Sequence, residues 1–177
     1  MRRPATAAAC LLAAVAVAGC GSSKSKSTSS ASTTASSSSS TPAIAQPLPA
    51  SDKDLSQKPV IPKPTAAPPS SLQSRDVVTG KGKAAKAGDK LTVQYVGVSY
   101  STGQQFDASW DRGQAFPFQL GAQMVIPGWD QGLVGMKQGG RRELIIPPAL
   151  AYGPQGQPPA IAPNETLIFM IDLKTIG

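Results

Sequence analysis

Leu91, Val93 and Tyr95 alternate with Thr92, Gln94 and Val96, the two-residue period of a strand that turns one face to a core. Shorter stretches of similar character follow at 105–109, 115–119 and 141–147. The longest runs over 165–176, with Leu167, Phe169, Ile171 and Leu173 on one face. One stretch has a different period: Ile126, Trp129, Leu133 and Met136 recur at helical spacing, beside a proline suited to a helix start. The pattern predicts an α+β domain, a mainly antiparallel β-sheet wrapped around one short α-helix.

Before Leu72 the periodicity disappears. From residue 21 to 41, 16 of 21 residues are Ser or Thr, and from 42 to 69, 8 of 28 are Pro. Such a stretch buries too little surface to offset its chain entropy. It is expected to be a disordered tether, with a reach of roughly 40 Å if it behaves as a flexible coil of about 50 residues. Ahead of it, Met1-Arg2-Arg3 is basic and residues 5–18 are almost all Ala, Val and Leu. That run has the form of an export signal and is short for a membrane span, which needs roughly 20 apolar residues. Val17-Ala18-Gly19-Cys20 resembles the bacterial lipoprotein signal, which implies cleavage before Cys20 and acylation of its thiol. An ordinary cleaved signal peptide is the alternative. The expected divisions are a signal peptide at 1–19, a lipidated cysteine and tether at 20–71, and a folded domain at 72–177. The expected location is the cell envelope, lipid-anchored to the membrane and facing its extracytoplasmic side.

Composition narrows the chemistry. The chain has no histidine, which removes the commonest general base and the commonest transition-metal ligand together. Its two cysteines are Cys10, inside the apolar leader, and Cys20, so the folded part can hold no disulfide or zinc knuckle. The excess of 17 basic over 10 acidic residues falls largely in the leader and tether. From Ser71 onward the charges nearly balance, and no nucleic-acid footprint remains.

Several short motifs then follow in close order: Val93-Gln94-Tyr95-Val96-Gly97, Phe106-Asp107-Ala108-Ser109 and Phe116-Pro117-Phe118-Gln119-Leu120-Gly121. Val125-Ile126-Pro127-Gly128-Trp129, Gly135-Met136-Lys137-Gln138-Gly139, Ile146-Pro147-Pro148, Ala151-Tyr152-Gly153 and Leu167-Ile168-Phe169 continue the series. Together they resemble the FKBP family of peptidyl-prolyl cis/trans isomerases over nearly all of 72–177. The resemblance implies a shallow apolar cleft with Trp129 as its floor. Tyr95, Phe106, Phe116, Val125, Ile126, Ile161 and Phe169 would be its walls. Asp107 and Tyr152 would be polar groups at the rim, Arg112 would orient Asp107, and the backbone N–H of Ile126 would bind a substrate carbonyl.

The resemblance also implies a monomer that acts on proline-containing polypeptides without cofactor or metal, and that binds macrolide inhibitors in the same cleft. Two positions depart from the family: Gln157 stands where histidine is frequent, and Leu150 where tyrosine is common. A non-catalytic proline-binding chaperone or surface adaptor is the competing function. Because every matched residue lies beyond 71, a fragment begun there is expected to keep full activity. Other motifs are weaker. Gly80-Lys81-Gly82-Lys83 is expected to be a turn rather than a phosphate loop, Asn164-Glu165-Thr166 fits a glycosylation acceptor by chance, and Arg141 and Arg142 read as a solvated strand edge.

Overall fold

The computed structural model describes residues 53–177; the leader and Cys20 lie outside the described residues. The elements are β1 (Gln73–Val78), β2 (Lys90–Ser99), β3 (Gln105–Ala108), β4 (Phe116–Gln119), α1 (Pro127–Gly132), β5 (Arg141–Ile146) and β6 (Leu167–Ile176). Every pairing is antiparallel, in the order β1-β5-β6-β2-β3, with β4 also on β2. The α+β architecture expected from the periodicities is therefore present.

β2 organises the sheet. One edge pairs with β6 from Leu91 opposite Ile176 to Ser99 opposite Leu167. Its other edge is divided, with Lys90–Val93 pairing β4 and Val96–Val98 pairing β3. Alternation then sorts the side chains. Leu91, Val93, Tyr95, Leu167, Phe169, Ile171 and Leu173 join Trp129 and Leu133 in an inner core, while Val96, Val98, Ile145, Ile168 and Met170 form a second cluster on the outer face.

Helix α1 lies close to β5 because two of its residues are glycines. A Cβ on Gly128 would stand 2.4 Å from Ile146 Cγ2, and one on Gly132 would stand 2.7 Å from Leu144 Cδ2. The helix is shorter than the stripe from Ile126 to Met136 suggested. Ile126 is its N-cap and Leu133 its C-cap, and Gly135 turns the chain with φ 77°, which glycine adopts at little cost. Met136 is fully buried beyond the helix.

The structure departs from the sequence reading in three places. β1 carries little apolar alternation and is held instead by opposite charges directly across the pair: Arg75–Glu143 at 2.8 Å and Asp76–Arg142 at 2.6 Å. Arg141 and Arg142 are not a solvated edge. Arg141 is 0% exposed and pairs with Asp172 through two bonds of 2.5 and 2.7 Å. Arg142 also donates to the Gly132 and Val134 carbonyls at 2.9 and 3.2 Å, beside the end of α1.

The third departure concerns residues 57–69, expected as tether, which lie against the outer face with Ile61 buried in its apolar cluster. Prolines explain how so apolar-poor a segment is held. They restrict the unfolded chain, so fewer contacts are needed to fix it.

Candidate functional site

The inner core opens to solvent in a cleft of about 180 Å³ lined by Tyr95, Phe106, Asp107, Phe116, Met124, Val125, Ile126, Trp129, Tyr152 and Phe169. Trp129 is delivered by the first turn of α1 and is 4% exposed. Four rings surround it at centroid distances of 5.1 Å (Tyr95), 5.2 Å (Phe169), 5.6 Å (Phe118) and 6.3 Å (Phe116). Three of the four stand nearly perpendicular to the indole, the edge-on contact that aromatic quadrupoles favour. The floor is thereby fixed by its neighbours. The indole N–H has no hydrogen-bond partner among the described residues.

Phe106 and Phe169 form one wall, edge to face at 5.6 Å. They meet over Gly97, where a Cβ would lie 2.7 Å from Phe106 and 2.8 Å from Phe169. The parity of β2 points position 97 to the inner face, and only a missing side chain leaves room for both rings. The opposite wall is the 121–126 loop. Asp130 of α1 holds it by accepting the backbone N–H groups of Gly121 at 2.8 Å and Gln123 at 3.1 Å. Gln123 sits at φ 57°, an uncommon conformation for a residue with a side chain. Ile126 lies at the end of this loop, and its backbone N–H donates to no backbone acceptor among the described residues.

The rim carries the polar groups. The Tyr95 hydroxyl donates to one oxygen of Asp107, Arg112 donates to the other, and a second Arg112 nitrogen donates to the Tyr95 oxygen at 2.8 Å. Burial, with the Asp107 hydrogen bond behind it, pushes the Tyr95 hydroxyl up to about 12. Burial and the Asp107 charge likewise raise Tyr152. Both phenols therefore stay neutral at physiological pH.

Ser109, fully buried, steadies the strand beneath this rim. Its hydroxyl accepts the Tyr95 backbone N–H at 2.8 Å, and its own N–H donates to the Tyr95 carbonyl at 3.1 Å. This closes the gap that β3 and β4 leave along β2.

Nine predicted residues meet in the cleft: Tyr95, Phe106, Asp107, Phe116, Val125, Ile126, Trp129, Tyr152 and Phe169. Arg112 stands behind them as the partner of Asp107 and Tyr95. Ile161 is placed differently. It is 2% exposed, packed in the inner core and absent from the lining, because its bridge to Gln157 turns it inward. Three contributors were missed. Met124, 64% exposed, belongs to the lining, and Phe118 supports the indole. Asp130 has no local signal, since its role depends on a loop folding back onto its helix.

The cleft is an aromatic pocket with neutral phenols and the Asp107–Arg112 ion pair at its edge. It can bind a small apolar ring and desolvate the bond beside it, which defines a binding-type site for noncovalent chemistry on peptides. Residues 81–174 match the model of the FKBP-type peptidyl-prolyl cis-trans isomerases, and the chain belongs to that family. It is 54% identical over 121 residues to an FK506-binding protein of Streptomyces anulatus, covering 68% of this chain and 98% of that one. With a probable FK506-binding protein of Corynebacterium glutamicum it shares 46% over 117 residues, 66% of this chain and 97% of the relative. The crystal structure of AtFKBP13 is similar with a TM-score of 0.57 and 38% identity, over 62% of this chain and 96% of that chain.

Isomerisation of a prolyl bond passes a twisted amide against a barrier of roughly 18–20 kcal/mol, and no covalent bond breaks. Water stabilises the planar, charge-separated amide more than the twisted one, so removal from water favours the transition state. Walls that fit the twisted proline add differential binding, with each ~1.4 kcal/mol worth about tenfold in rate. Trp129, Phe106, Phe116 and Phe169 are apolar rings lining the cleft.

Proposed function

We propose that this isomerase acts on X-Pro bonds of exported or surface polypeptides and assists their folding from a lipid anchor on Cys20. The observation that carries the first part is the open cleft floored by Trp129 and walled by aromatic rings, an apolar concavity suited to a prolyl ring. The second part is supported by the order of the N-terminal segments, a basic start, an apolar run and Val17-Ala18-Gly19-Cys20. The uncatalysed isomerisation takes tens to hundreds of seconds, slow enough to limit the folding of proline-containing clients. A macrolide of the FK506 type, after which the relatives are named, is expected to compete for the cleft.

Two measurements test this reading. In a cis/trans assay on a one-proline peptide the protein accelerates exchange, and folded Phe106→Ala loses more efficiency than Tyr152→Phe. A protein that binds the peptide without accelerating exchange would instead be an adaptor. In cells, Cys20→Ser is expected to release the protein or leave its precursor uncut, since the acyl chains contribute about 0.8 kcal/mol per buried methylene. A variant still processed and retained on washed membranes would overturn the anchor.

A further inference from the structure

Val96, Val98, Ile145, Ile168 and Met170 on the outer face are each no more than 3% exposed. The helix lies on the other face, so another part of the chain must exclude water here. Chain from before the first strand does so, together with Tyr100 and Trp110. Ile61 inserts into the cluster at 8% exposure, and polar ties hold the segment on either side of it. The Gln57 carbonyl accepts from the buried Arg141 guanidinium at 3.0 Å. The Tyr100 hydroxyl reaches the Ala66 and Ala67 carbonyls, each at 3.2 Å. Between them the segment passes so close to the β2–β3 turn that a Cβ on Gly103 would lie 2.7 Å from that of Lys63.

One tie leads toward the cleft. Lys58 Nζ lies 2.5 Å from Asp111, which also accepts from Gln105 at 2.7 Å. Asp111 is the middle residue of the 3-10 turn Trp110–Arg112, so its neighbour is the Arg112 that grips Asp107 and Tyr95. The similarity to the Streptomyces anulatus protein agrees with an integral role. Its 121 residues exceed what the stretch from Leu72 to Gly177 can hold, and they account for 98% of that relative.

We propose that residues 57–69 are a strap belonging to the isomerase domain, which closes the outer face of the sheet and, through Lys58, positions the turn that presents Arg112 to the cleft rim. The strap joins two regions that the sequence presents as separate. Its packed part sets stability, and its charged contact sets the geometry of Tyr95 and Asp107 without touching substrate. A fragment begun at residue 72 lacks both and does not keep full activity.

Full-length variants test the two roles separately. Replacing 57–69 by a glycine-serine segment of equal length is expected to lower Tm by about 10 °C or more, as loss of a buried branched side chain and its neighbours requires. Lys58→Met should leave Tm within about 2 °C, since the pair is partly exposed, yet lower kcat/KM about two- to fivefold and shift the Arg112 side-chain N–H resonances. Lys58→Arg should restore both. An unchanged Tm after strap replacement would remove the strap from the domain. Unchanged rate and resonances in Lys58→Met would end its positioning role. Tm and the resonances do not depend on turnover, so an inactive wild-type protein would sink the isomerase reading while these two still decide the strap.

Discussion

Two arginine–aspartate pairs in this domain have the same chemistry and opposite surroundings. Arg112 and Asp107 sit at the rim with side chains 49% and 39% exposed, whereas Arg141 and Asp172 are 0% and 2% exposed. At the rim each charge keeps water, so the pair adds little to stability and can be spent on orienting Tyr95. In the interior, burial pushes the Asp172 carboxyl up against the pull of Arg141, and each ion depends on the other for its solvation. The strap carbonyl of Gln57 completes that replacement of water. Surroundings, more than residue identity, decide which pair is architecture and which serves the cleft.

The largest effect should come from breaking the interior pair. Arg141→Met leaves Asp172 buried without its partner and is expected to cost about 3–5 kcal/mol in denaturant unfolding, while pairing it with Asp172→Leu should recover most of the loss. A single variant as mild as a surface substitution would erase the distinction. Breaking the rim pair should act on rate instead. Arg112→Met is expected to lower kcat/KM roughly fivefold while costing no more than about 1 kcal/mol of stability.

The pH dependence sharpens the contrast further. Tyr95 titrates at about 12 in the folded protein against 10.0 ordinarily, so the folded chain keeps a proton that the unfolded chain loses. Its contribution is complete below pH 10, and it declines as pH rises from there through about 12. Denaturant midpoints over that window should fall less for Tyr95→Phe than for the wild type. Between about pH 6 and 8 isomerisation should be flat, because the chain has no histidine to titrate there. A bell-shaped profile would place an acid or base in the mechanism. The smallest effect is that of salt. Raising it from about 0.1 to 1 M shortens the screening length from about 10 to 3 Å, which should change kcat/KM less than twofold and leave the interior pair untouched.

Most of the sheet was legible because β2 and β6 present one face to each core, and alternation reports that directly. The aromatic cleft was legible through the order of its motifs, down to nine of its lining residues. β1 was not, since it is an edge strand held by charges whose partners lie on β5, and no local period records a cross-strand ion pair. The strap was hidden for a similar reason. Its hold rests on one isoleucine, a few carbonyls and proline stiffness, while composition reports only how little apolar surface it has. Ile161 erred in the other direction: a family motif places it near the cleft, but its inward turn is a property of the loop.

The ladder between β2 and β6 joins Leu91 to Ile176, near the end of the last strand. A chain made from its N-terminus forward therefore cannot close its central sheet until the final strand has emerged. Until then Val93, Tyr95 and the strap's Ile61 lack the β6 side of their clusters, and the unpaired edge of β2 is open to other chains. Such non-local closure is slow compared with local helix formation and exposes sticky surface while it waits. A catalyst of other proteins' folding thus has a demanding assembly of its own, completed only when the ten residues of β6 arrive.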